Sequence, residues 1–178
     1  MYHSTLESKQ KIGNISKLSF RTKFPGPIRS VEDDHLRTED PIGVDIIDES
    51  LYYFKSNIFF SSFEIKNEAD RNLVYLTLYI IECLKVIANA SNRNAASNDL
   101  FQLALSMSSI PGDPKFPLNN MFQKPNNVRE GDEMKSYLTQ LRQECGVRVL
   151  NLAWPENDVP SKWWCCFAKR KFLNITLA

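Results

Sequence analysis

The sequence predicts an all-α fold: about five helices, one of them a central helix at about 67–88 surrounded by the others, with an extended N-terminal arm in front. Over 73–81 every residue except Thr77 is apolar or aromatic, so this helix has no polar face. A helix hydrophobic all round is normally buried on all sides. Flanking stretches repeat apolar residues at spacings of three and four, the period of helices that lay one face on a core. Pro25, Pro27 and Pro41, with Gly13, Gly26 and Gly43, exclude a long helix from residues 1–43. A chain of 178 residues, 43% of them hydrophobic, is long enough to bury one core without disulfides or metals. The expected organisation is an arm and polar loop over 1–43, then a single helical domain over 44–178.

Within the arm, Leu18, Phe20 and Phe24 are the expected anchors, and SVEDDHLRTEDP over 30–41 reads as a solvated loop. The first helix is expected over 44–58, with Val44, Ile47, Leu51, Phe54 and Ile58 on one face. Asp45, Asp48 and Glu49 lie at its positive end. FFSSFEIK is too short for another helix and reads as an extended or 3₁₀ connector pinned to the core by Phe59, Phe60 and Phe63. Asn67 caps the central helix, Glu68 and Asp70 set negative charge against its dipole, and Leu73, Leu76, Ile80, Ile81 and Leu84 are its core residues.

SNRNAASN reads as a polar loop, with Ser97 or Asn98 capping a third helix over 99–107 that turns Leu100, Leu103, Ala104 and Met107 inward. Three prolines make IPGDPKFP irregular or polyproline-like, with Phe116 and Leu118 as plugs. Pro111, Pro114 and Phe116 also form a candidate docking edge. A fourth helix is expected over 132–152, with Met134, Tyr137, Leu138, Leu141, Cys145, Val149 and Leu152 inward. Lys135, Arg142, Glu144 and Arg148 fall outward, and Gly146 weakens the middle. AWPENDVP ends this helix at Pro155, and Ser161 caps a last one, KWWCCFAKRKF.

Lys and Arg total 22 against 21 Asp and Glu, so no global field draws the chain to nucleic acid or anionic lipid. Cys83, Cys145, Cys165 and Cys166 lack the paired spacing of a zinc site and read as four reduced cytosolic thiols. No secretory h-region opens the chain, and Glu82 and Lys85 interrupt the nearest candidate for a membrane span, so none is expected. The N-x-S/T triplets at Asn14, Asn89 and Asn174 are expected to be chance.

Catalysis lacks its parts. His3 and His35 both fall in the polar N-terminal region, so a Cys–His or Ser–His pair needs a loop histidine carried into the core. Asp33–Asp34 and Glu39–Asp40 share one polar loop, where nothing drives their pKa values apart. No phosphate-cradling glycine motif or metal-ligating cluster occurs, and no cofactor is expected.

Two features remain. In KWWCCFAKRK, an aromatic and basic mixture suits nucleic acid. The same residues fit a helix with Trp163, Cys166 and Phe167 inward and Lys169, Arg170 and Lys171 at its negative end. Trp164, on another face, is the candidate exposed anchor, and Lys162, Trp164, Lys169, Arg170 and Lys171 are candidate partner contacts. Secondly, Tyr52, Tyr53, Phe59, Phe60, Tyr75 and Tyr79 exceed what one buried helix needs, which favours a subunit over a monomer.

DIIDESLYYFKSNIFFSSFEIKNEADRNLVYLTLYIIECL, IPGDPKFPLN, YLTQLRQECGVRVL and DVPSKWWCCFAKRKFLN, in that order over most of 45–174, closely resemble the third-subunit family of the actin-related protein 2/3 complex. The resemblance implies a small all-helical, non-catalytic subunit with several helices around a central one. It implies a seven-subunit assembly, with actin-related proteins 2 and 3 and the actin filament as partners. That assembly nucleates branches from the side of existing filaments, in cortical actin structures of the cytoplasm such as patches or leading-edge networks. Two alternatives from the residues alone are a free-standing nucleic-acid-binding module using 162–171 and a cysteine-dependent enzyme with a low-pKa thiolate.

Overall fold

A computed structural model describes residues 1–29, 44–156 and 158–177; the expected polar loop, with His35 and its paired carboxylates, lies outside them. The described residues form a small antiparallel hairpin, β1 (Lys11–Ile12) and β2 (Ile15–Ser16), and five helices. These are α1 (Ile46–Asn57), α2 (Ala69–Asn89), α3 (Arg93–Ser106), α4 (Val128–Ala153) and α5 (Lys162–Cys165). The fold is thus predominantly, not purely, helical.

In α2 every residue from 72 to 84 is buried, including Leu73, Leu76, Ile80, Ile81 and Leu84. The helix packs against α1, α3, α4, α5 and β2. Thr77, the polar exception, satisfies itself by donating its hydroxyl to the Leu73 carbonyl. Asn67 accepts the Asp70 amide, as an N-cap does. Contrary to the expectation drawn from Glu82 and Lys85, this helix is long and apolar enough to cross a membrane. Yet 78% of that stretch is covered by the rest of the chain, the behaviour of a core helix.

The elements depart from their expected bounds where polar side chains find local work. α1 starts behind a capping box in which Asp45 accepts the Ile47 and Asp48 amides and Asp48 accepts from Asp45. α3 starts at Arg93, not near Asp99, because Asn92 is already a good cap and accepts the Ala95 amide. SNRNAASN is therefore mostly helix, with Ala96 buried and Asn94, Ser97 and Asn98 set by the helical period outside or at the rim. α4 likewise starts early, at Val128, behind Asn127. Leu152, expected inside, lies exposed, and Arg142, expected outside, is buried. Its guanidinium donates to the carbonyls of Ala104 and Met107 at the end of α3 and to the hydroxyls of Tyr75 and Thr139. The open carbonyls of a helix C-terminus attract a cation, so Arg142 caps one helix from another. The last helix keeps only one turn, then tightens into 3₁₀ turns at Cys166–Lys169 and Phe172–Asn174.

Beyond the short hairpin and a few local bonds such as the Lys17 amide to the Gln10 carbonyl, the backbone of the first 29 residues turns to helix side chains. Asn57 exchanges two hydrogen bonds with the Tyr2 backbone. Buried Asp70 takes the Ser4 and Lys66 amides and His3 Nδ1. Glu49 accepts from Thr5, Tyr137 from the Leu18 amide, and Asn72 donates to Ser16. Gln140 accepts the Ile28 amide and donates to the Phe24 and Ile28 carbonyls. Two glycines permit the approach. Gly13 turns the hairpin at φ +59°, and a Cβ on Gly26 would lie 2.4 Å from Gln140 Oε1. Leu18 and Phe20 are buried, whereas Phe24 is only half-buried.

Arg148 ties the same segment to two helices. It pairs with Asp45, Asp48 and Glu144 and donates to the Arg21 carbonyl. Burial alone would raise the Asp45 carboxyl, but the hydrogen bonds and charge of Arg148 outweigh it and hold Asp45 below the ordinary carboxylate range.

Three stability outcomes follow from these contacts. Asp70→Ala removes a buried acceptor of three hydrogen bonds and costs about 3 kcal/mol in urea unfolding, with faster proteolysis of the first 29 residues. A carboxyl depressed on folding stabilises the native state above its unfolded pKa, and that contribution is lost as pH falls through the folded value. Asp45→Asn therefore loses less stability than the parent between about pH 7 and pH 3, read from urea midpoints. Gly146→Ala gains about 0.5–1 kcal/mol, because its Cβ meets Leu100 and Tyr79 only at ordinary contact distance.

Candidate interaction face

The basic and aromatic C-terminal stretch and part of the aromatic surplus, Phe59 and Phe60, lie together. Trp164 stacks on buried Phe54 with ring centroids 5.9 Å apart, and Lys55 Nζ lies 4.4 Å over the Trp164 ring. Phe167 meets Phe54 and Phe59 edge-on. Arg170 sits 5.3 Å over the Phe59 ring, and the Leu173 amide donates to the Phe60 carbonyl. The outer side of α1 and the C-terminal turns are thereby zipped together.

The tryptophans exchange their expected roles. Trp164, the expected exposed anchor, packs on the core, and Trp163, expected inside, is 81% exposed. Cys166 is exposed as well, while Phe167 packs against the core as expected. Trp164 and Phe167, three apart, both dock on Phe54, which leaves Trp163 and Cys166, also three apart, on the outside. Phe59, expected to pin the connector, is 62% exposed and serves as a platform for Arg170. Tyr52, one helical turn before Lys55, is 81% exposed, and Tyr53 stacks on Tyr2. Tyr75 and Tyr79, counted as surplus apolar surface, are buried in the core.

Lys162, Lys169, Arg170 and Lys171 are all exposed on or beside this face. With Lys55 they make five cations, and neither 50–63 nor 161–174 contains a carboxylate. None of the five forms an ion pair among the described residues, whereas Lys11 pairs with Glu68, Lys17 with Glu133 and Lys85 with Glu82. The acid-free composition of the two segments is visible in the sequence; their juxtaposition is not.

The proline-rich edge narrows. Phe116 and Pro111 are buried, Phe116 stacked on Tyr75 and edge-on to Phe122, so they hold the loop down and are covered by this chain; Pro114 alone of the three is exposed. A second apolar feature is a surface cleft of about 100 Å³ lined by Phe24, Leu100, Phe101, Gly146, Val147 and Leu150.

The residues with chemical potential are engaged in structure. His3 is carried onto the helices, but Asp70 uses it, with the Ser4 and Lys66 amides, to fasten the N-terminal segment, and the Ser4 hydroxyl is committed to Glu49. Burial pushes the Cys83, Cys145 and Cys165 thiols up, away from the thiolate a nucleophile needs. Among the described residues no three His, Cys, Asp or Glu gather as a metal site.

Residues 1–177 match the family model described as P21-Arc, the ARP2/3 complex ARPC3 (21 kDa) subunit. A probable actin-related protein 2/3 complex subunit 3 from Caenorhabditis elegans is 46% identical, with 97% of this chain and 93% of the relative covered. Subunit 3 from Schizosaccharomyces pombe is 43% identical, covering 99% of this chain and 98% of the relative. The Saccharomyces cerevisiae subunit 3 is 38% identical over the same shares.

The two tryptophans separate stability from surface. Trp164→Ala is expected to cost about 3 kcal/mol through lost stacking on Phe54, whereas Trp163→Ala stays within about 0.5 kcal/mol of the parent. Urea unfolding of the two variants side by side checks the contrast.

Proposed function

Because the chain belongs to the P21-Arc family, the ARPC3 subunit of the actin-related protein 2/3 complex, we propose that it works through buried surface and performs no chemistry of its own. It is a structural subunit of that complex, partnered by the other subunits and associated with the cytoplasmic actin cytoskeleton. The complex nucleates branched filaments. The finer reading is that the chain binds actin-related proteins 2 and 3, meets the actin filament, and acts in cortical networks. In that reading it stabilises the nucleation-competent arrangement through contacts stronger there than in the inactive one.

The observation that carries this reading is the family match over 1–177, and the unpaired basic and aromatic face supports it. Tyr, Trp and Arg are the residues that dominate binding energy at interfaces. The engaged His3 and Ser4 and the raised thiols support the non-catalytic reading. Neither the family match nor the relatives support the nucleic-acid alternative.

Native purification of the tagged chain tests the assignment. The expected outcome is co-elution with actin-related proteins in fixed proportion, and a complex assembled without the chain is expected to form fewer branches on preformed filaments. Recovery as a lone 20.5 kDa monomer would overturn it.

A further inference from the structure

We infer that the face formed by α1 and the C-terminal turns seats one carboxylate-rich protein surface, carried by a neighbouring subunit and covered on assembly. This rests on the subunit assignment above and adds the chemistry of the partner.

Charge is the first ground. The chain is nearly neutral, with 22 basic and 21 acidic residues, yet 50–63 and 161–174 hold five cations and no acid. Some cations elsewhere are neutralised internally, Lys17 by Glu133, Lys85 by Glu82, and Arg148 by Asp45, Asp48 and Glu144, and others are not; what sets this face apart is that neither of its segments contributes an acid. Here the counter-charge is missing from the described residues, and a carboxylate-rich partner supplies it. Shape is the second ground. Tyr52, Phe59 and Trp163 stand exposed among the cations, the mixture of rigid aromatic and basic groups that forms the centre of interfaces. Pre-organisation is the third. Lys55 rests over Trp164 and Arg170 over Phe59, both rings tied to buried Phe54 directly or through Phe167, so less side-chain freedom is lost on docking.

A nucleic acid or an anionic bilayer also answers positive charge. A nucleic-acid platform stacks bases on free ring faces; here Trp164 gives its faces to Phe54 and Lys55 and Phe59 takes Arg170, which leaves Tyr52 and Trp163, and the chain's family is that of a subunit in a protein complex. That favours a protein surface.

Cys166 is a built-in reporter, exposed on this face with its Sγ 3.7 Å from the Trp163 carbonyl oxygen, whereas Cys83 and Cys145 are buried. Iodoacetamide labelling, read by peptide mass, compares the free full-length chain with the assembled complex. Cys166 is expected to label at least about tenfold more slowly in the complex, with Cys83 and Cys145 slow in both. The triple variant K169E/R170E/K171E is expected to enter the complex at least about tenfold less well at low salt, and the parent to lose affinity as salt rises from about 0.05 to 0.5 M. Trp163→Ala is expected to weaken incorporation while leaving the salt dependence unchanged. Circular dichroism melts check folding; if the triple variant unfolds, Lys162→Glu together with Lys55→Glu repeats the test.

Equal Cys166 labelling in free chain and complex, or native incorporation of the folded charge-reversed chain, overturns the inference while leaving the subunit assignment standing. A parent chain that never enters the complex overturns that assignment instead. Protection of Cys166 by an RNA oligonucleotide or by phosphatidylserine vesicles, with none on assembly, overturns the protein partner in favour of that ligand.

Discussion

An extended backbone laid on helices must find its hydrogen bonds somewhere, and that constraint organises this molecule. Buried N–H and C=O groups left unpaired are costly, and residues 2–28 offer each other little beyond a short hairpin and a few local turns. The helices answer with side chains that a purely apolar core would exclude: Asn57 on α1, Asp70 and Asn72 on α2, Tyr137 and Gln140 on α4. Each is nearly fully buried, and each is fixed by the backbone it holds. The polar interruptions of otherwise greasy helices are therefore the register marks of the N-terminal segment. They also make its docking cooperative, since lifting one stretch strands several buried polar groups at once.

The two arginines of α4 extend the same logic to the helices themselves. Arg142 is a buried cation whose partners are the end carbonyls of α3 and two hydroxyls, so a helix terminus serves as its counter-charge. Arg148 instead meets Asp45 and Asp48 at the start of α1, Glu144 one turn back on its own helix, and the Arg21 carbonyl. One guanidinium secures α3 to α4, the other secures α1 and the N-terminal segment to α4. Planar, multiply donating groups suit such junctions because one side chain satisfies several acceptors in fixed directions.

The legible parts of this fold were those dictated by periodicity and composition. The unbroken apolar run of α2, the inward stripe of α1 and the Asn67 cap were visible because burial and capping are local statements about neighbouring residues. Helical period assigns Arg142 outward, and only the position of the α3 terminus, many residues away in sequence, makes its inward guanidinium favourable. α3 extends further toward the N-terminus than its Asn and Ser suggest, because these loop-favouring residues are merely neutral on an exposed helical face behind an Asn cap. The hairpin rests on two residues a side, below any pattern threshold. For the candidate face, its basic and aromatic letters were legible and their orientation was not. Neighbouring Trp163 and Trp164 are both apolar enough to turn inward, and the ring contacts of Trp164 and Phe167 with Phe54, and of Phe172 with Phe63, decide which does.

Stability and recognition use different atoms of the same aromatic cluster. Phe54, Trp164 and Phe167 face inward and carry the packing, while Lys55 lies over Trp164, Phe59 meets Phe167 and carries Arg170, and Trp163 stands exposed beside them. The surface is thereby rigid where contact is made and free of internal ion pairs among the described residues where charge must be shared with another chain. In a monomer such a face would be an exposed aromatic patch among uncompensated cations, which favours promiscuous contact. In a fixed assembly both properties become favourable, because the rings exclude water from the contact and the cations steer a single partner into register. The same internal arrangement that costs a free protein solubility and selectivity is the one a permanent subunit needs.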